Sequence, residues 1–136
     1  MRYLRPFVVR LLAPCLITFC LAGPLRAEEL SESDKFFLAG YEKLRLALVA
    51  DDLGRANEVA AELSESGIEV PRSETLERAR AAFAKTSEIA VQVVAGRPGY
   101  YVMHCPMLNH DWVQTAKQIS NPYGGKEMIS CGEIKK

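Results

Sequence analysis

The 136 residues balance 17 basic against 17 acidic side chains, but the two are unevenly spread along the chain. Four arginines and no acids fall in the first 27 residues, so the other 109 carry 13 basic and 17 acidic groups, a net charge of −4. That length suits one small domain, and that charge gives no reason to expect nucleic acid or an anionic membrane surface as partner.

The N-terminal stretch has the layout of a secretory signal. "MRYLRPFVVR" is basic, "LLAPCLITFCLAG" is an apolar run of thirteen, and "PLRA" ends on a small residue before "EEL". The run falls short of the ~20 residues a membrane span requires. Residues 1–27 are therefore expected to be a signal peptide cleaved after Ala27, and residues 28–136 a single periplasmic or secreted domain with no membrane insertion once processed. Of four cysteines, Cys15 and Cys20 go with the signal, which leaves Cys105 and Cys131. Two cysteines in an oxidising compartment raise the expectation of a disulfide.

Three amphipathic segments follow in residues 28–96. In "SDKFFLAGYEKLRLALVA", Phe37, Tyr41, Leu44 and Leu48 recur at 4-3-4 spacing and share one helical face. Asp51 or Asp52 can cap a second helix carrying Leu53, Ala56, Ala60 and Leu63, which Gly67 and Pro71 stop. A third helix is predicted from about Ser73 to Ala95, with Leu76, Ala79, Phe83 and Ala90 on one stripe and Gly96 and Pro98 beyond it. Small residues on the second and third helices (Ala56, Ala60, Ala79, Ala82) allow close approach, and short connections imply antiparallel neighbours.

From residue 97 the pattern changes. Tyr100 to His104 reads as a short strand, which Pro106 limits by removing a backbone donor. "NPYGG" is turn chemistry, and "KEMIS" suits one helical turn before "CGEI". The expected fold is mainly α: a small antiparallel bundle of three helices over 28–96. An irregular cap over 97–136 contains a short strand or hairpin and turns.

The cap concentrates His104, Cys105, Met107, His110, Met128 and Cys131 within 28 residues. Thiolate and thioether sulfurs are soft donors suited to Cu(I) or Ag(I), and imidazole serves copper and zinc alike. Cys105 and Met107 point the same way on an extended strand, and Met128 and Cys131 are neighbours on one helical turn. These six are the candidate metal ligands, with His104 and His110 auxiliary. The competing expectation is a Cys105–Cys131 disulfide closing a loop of 27 residues. On the chain-entropy model it would contribute about 3.5 kcal/mol. The methionines would then be core fillers. No C-x-x-C or C-x-x-C-H is present in the sequence, so thioredoxin-type exchange and covalent haem lack their motifs. His104 and Cys105, adjacent on a strand, point to opposite faces, which argues against a nucleophilic pair and against an enzyme.

"CPM" at 105–107, Trp112, and "NPYGGKEMISCGEI" at 121–134 together resemble the C-P-M … W … N-P-Y-x-G-x-x-M-x-x-C-G signature of a family of unknown function. That family consists of exported helical domains found attached to, or encoded near, periplasmic adaptor subunits of copper/silver and other heavy-metal efflux pumps. The resemblance implies a soft-metal role at the cell envelope for Cys105, Met107, Met128 and Cys131. It also implies an efflux-pump adaptor or another envelope protein as partner, bound in trans because this is a free-standing domain. The alternative expectation is a disulfide-stapled structural or protein-interaction module with no metal role.

Overall fold

A computed structural model describes residues 29–135. The segment expected to be a signal peptide, with Cys15 and Cys20, lies outside the described residues. Three helices lead: α1 Glu32–Val49, α2 Leu53–Glu65 and α3 Leu76–Val93. Each begins on a residue that caps it. Ser31 Oγ accepts the Asp34 N–H at 3.1 Å, Asp52 Oδ1 that of Arg55 at 2.9 Å, and Thr75 Oγ1 that of Arg78 at 3.2 Å. The Phe37–Tyr41–Leu44–Leu48 stripe is buried along its length, as are Ala56, Ala60 and Leu63 of α2 and Phe83 and Ala90 of α3. Close contact between α1 and α2 is made at Gly40, where a Cβ would stand 2.4 Å from Leu63 Cδ2.

The second half corrects the expectation of a mainly α bundle. It carries a three-stranded antiparallel sheet, so the domain is a mixed α/β fold. The strands are β1 Tyr101–Cys105, β2 His110–Gln114 and β3 Glu133–Ile134, in the order β2-β1-β3. The β1–β2 register sets Met103 opposite Trp112, His104 opposite Asp111 and Cys105 opposite His110, while β3 pairs Met103 with Ile134 and His104 with Glu133. The region expected to be irregular is thus tied together by ladder hydrogen bonds. The cause lies in four residues, Pro106–Asn109, that reverse the chain. Asn109 takes a positive φ of 52° that this residue type tolerates, and its N–H closes on the Cys105 carbonyl at 2.8 Å. Between β2 and β3 the chain forms the 3₁₀ turn Lys126–Met128 and the loops on either side of it.

Beneath the sheet, Met103, Cys105 and Trp112 are fully buried and join the helical residues in one core. Polar side chains stitch the layers. The Tyr41 hydroxyl of α1 accepts the Val113 N–H of β2 at 3.0 Å and lies 2.8 Å from Ser87 Oγ of α3. The Tyr123 hydroxyl donates toward Ser87 Oγ and the Asp111 carbonyl, both at 3.0 Å. Among the described residues no helix is long and apolar enough to cross a membrane.

Candidate functional site

Cys105 ends β1 and points inward, as Met103 does two residues earlier, and it is fully buried. Cys131 follows the 3₁₀ turn, its N–H bonded to the Met128 carbonyl at 2.9 Å. Two features fix it beside Cys105. Asn121, fully buried, donates its side-chain amide to the Cys131 carbonyl at 2.8 Å and accepts the Tyr123 N–H at 2.8 Å. Gly132, at a φ of 150°, lets the chain turn under Trp112; a Cβ there would stand 2.7 Å from the indole ring. As a result the two sulfurs lie 2.8 Å apart, both as free thiols.

The loop that carries Asn121 is anchored to the helices from the other side. Arg45 of α1, buried and held by Glu42 through two contacts of 2.7 Å, donates to the Ser120 carbonyl at 2.9 Å. Arg80 of α3 donates to the Pro122 carbonyl at 2.9 Å and the Leu48 carbonyl at 3.1 Å, and it pairs with Asp51. These arginines, with Asn121 and Ser87, are the residues that sequence reasoning missed, while Tyr41 was placed on the buried face of α1 without its polar partners. Their partners lie far along the chain, and the arginines read as ordinary polar helix positions. Asn121, at the head of a turn motif, carried a local signal.

The electrostatics distinguish the two thiols. Burial pushes the Cys105 thiol up. The Cys131 thiol, the N–H groups of Leu108 and Met107 and the Asn121 amide all hydrogen-bond its sulfur and outweigh burial, so Cys105 ionises below the ordinary thiol range. Cys131 moves the other way, because it donates to Cys105 and then because it is partly desolvated. Of the pair, Cys105 is thus the first to ionise and Cys131 the second. The ultraviolet thiolate absorbance of the reduced protein should therefore rise in a first step below the ordinary cysteine value of about 8.5. Cys105→Ser should abolish that step; a single step at or above the ordinary value in the wild type would contradict the assignment.

The other four candidate ligands are placed differently. Met107 is 77% exposed and turns outward at the hairpin tip. Met128 is half-buried and packs over Gly124, where a Cβ would meet its side chain at 2.4 Å. His104 faces away from Cys105, its Nδ1 2.7 Å from Asp111 Oδ1. Asp111 also accepts from Lys135 at 2.5 Å, and these two partners hold its carboxyl below the usual range in spite of burial. His110, across the ladder from Cys105, is exposed and stacks on Tyr123 with ring centroids 4.5 Å apart. The structure thus brings Cys105 and Cys131 together, with Met128 one turn away. It holds His104 in a separate hydrogen bond with Asp111. Among the described residues no group of three or more His, Cys, Asp or Glu side chains converges where it could hold a metal ion. Comparison with protein-family models, curated proteins and solved structures gives no match.

Proposed function

We propose that this domain is a periplasmic accessory protein that receives a soft monovalent cation such as Cu(I) or Ag(I) on the Cys105–Cys131 pair, in heavy-metal homeostasis or efflux. The supporting observation is the convergence of the two sulfurs at 2.8 Å, with main-chain N–H groups turned toward Cys105. Such donors favour a thiolate, and thiolates select soft ions. Small outward movements of the two side chains would admit an ion between them, with Met128 three residues before Cys131 as a candidate thioether. The cation is cargo, and its onward partner is an efflux-pump adaptor or another envelope protein. Export rests on the basic, then apolar, then small-residue layout of residues 1–27.

Anaerobic titration of the reduced protein with Cu(I) against a chromophoric chelator tests this reading. One equivalent should bind, and Cys105→Ser or Cys131→Ser should each weaken it by more than the roughly 10–100-fold typical of outer-shell changes. Met107→Ala should stay within about threefold, its side chain being solvent-directed. Affinity should fall as pH drops, since both thiols must lose protons to bind. Binding no tighter than that of a variant lacking both cysteines would reject the proposal.

The same separation, together with the outward Met107, favours a second reading. In it the pair closes to a disulfide that staples β1 to the last loop of an interaction module with no metal role. Protein recovered from the periplasm would then carry no free thiol and no metal.

A further inference from the structure

The two sulfurs are not equivalent to a molecule arriving from solvent. Cys105 is fully buried on the inner face of β1, under hydrogen bonds from two main-chain N–H groups. Cys131, by contrast, is only half-buried. Ile129, 41% exposed, and exposed Ser130 lead directly into it. Cys131 is therefore the sulfur that solvent reaches, and Cys105 lies behind it.

We propose that the Cys105–Cys131 pair, once closed to a disulfide, is the client of an external dithiol oxidoreductase of C-x-x-C type, which attacks Cys131 and expels Cys105. This inference rests on the disulfide reading of the pair. Exchange needs the attacking sulfur, the attacked sulfur and the leaving sulfur nearly in line. Solvent access exists only from the Cys131 side, so the incoming thiolate forms its bond to the Cys131 sulfur. The Cys105–Cys131 bond breaks with its electron pair moving to Cys105. The N–H groups of Met107 and Leu108 and the Asn121 amide receive that sulfur as a thiolate. The partner's second thiolate then attacks its own sulfur in the mixed disulfide and releases Cys131, which takes up a proton. Two electrons pass to this domain, and the partner leaves as the disulfide. The exposed Met107 and Ile129 fit a partner whose attacking cysteine lies in apolar surroundings.

The test is run in excess chelator, so that no metal is involved. Purified protein is oxidised, its loss of two thiols is confirmed, and it is mixed with a C-x-x-S variant of thioredoxin, which cannot resolve the mixed disulfide. Acid quench, alkylation and peptide mass mapping should find the thioredoxin joined to Cys131 and the alkyl group on Cys105, by at least about tenfold over the reverse. In parallel, reduced single-cysteine variants are treated with an aromatic disulfide reagent. Cys105→Ser should form a lasting adduct at Cys131 at least about tenfold faster than Cys131→Ser forms one at Cys105. Wild type should show no lasting adduct, because Cys105 displaces it. Mapping on the wild-type chain keeps the result independent of whether either variant folds. A majority of mixed disulfide at Cys105, or equal rates in two folded variants, overturns the polarity and leaves the disulfide reading standing. Failure to lose two thiols on oxidation overturns both.

Discussion

Asn121→Ala is expected to lower the unfolding free energy by about 3 kcal/mol, since it strands two buried main-chain groups that each cost roughly 1–3 kcal/mol unpaired. Those groups are the Tyr123 N–H and the Cys131 carbonyl, each 2.8 Å from the Asn121 side chain. The same amide also bonds the Cys105 sulfur. The variant should therefore move the Cys105 ionisation up toward the ordinary thiol range while it weakens the fold. Urea unfolding with an unchanged slope, read beside the thiolate absorbance, separates the two effects. Asn121→Asp is the stronger perturbation. It keeps an acceptor for Tyr123 but sets a buried carboxylate against the Cys131 carbonyl, so it should raise the Cys105 ionisation further and cost at least as much stability. A loss below about 1 kcal/mol in Asn121→Ala would mean that the loop holds its course without this side chain.

Stability should also fall steeply in alkali. Burial pushes Tyr41 up to about 12 and pushes Tyr123 up as well, whereas an unfolded tyrosine titrates near 10. The folded chain thus keeps protons that the unfolded chain gives up. Below about pH 10 both states are neutral at these positions and the full stability is present; above it the unfolded state binds fewer protons and stability declines until the folded groups titrate. For Tyr41 alone the loss amounts to about 2–3 kcal/mol by pH 12. Comparing urea midpoints at pH 9 and pH 11.5 measures it. Tyr41→Phe should flatten the decline while costing stability at neutral pH, because the Val113 N–H loses its acceptor. A midpoint that changes equally in wild type and Tyr41→Phe would place the alkaline sensitivity elsewhere.

The helices were legible because their signals are local. Phe37, Tyr41, Leu44 and Leu48 repeat at helical spacing and all are buried. Asp52 was readable as a cap; Asp51 instead adopts a φ of 58° and pairs with Arg80 across the domain. The first strand was legible, expected over Tyr100–His104 and found at Tyr101–Cys105, but the rest of the sheet was hidden for physical reasons. In β2, Trp112, Val113 and Gln114 are buried in succession, which breaks the alternation that marks a strand, and β3 is two residues long. Gln114 is buried because its amide donates to the Ala116 and Gln118 carbonyls while its oxygen accepts from the Trp112 indole. Nothing in its neighbours along the chain foretells that. In the site, strand alternation already separated His104 from Cys105, and the structure places His104 with Asp111. The outward course of Met107 depends on the hairpin bend after Pro106, which spacing alone does not give.

Arg45 and Arg80 grip Ser120 and Pro122 by their main-chain oxygens. A carbonyl is the same whatever residue bears it, so this grip is indifferent to side-chain identity on the loop. The exposed stretch Thr115–Gln118 that leads into it is therefore open to wholesale rewriting. Side-chain replacements there, a fluorophore attachment point among them, leave in place the Ala116 and Gln118 carbonyls that Gln114 holds and the sulfur spacing that the arginines indirectly maintain.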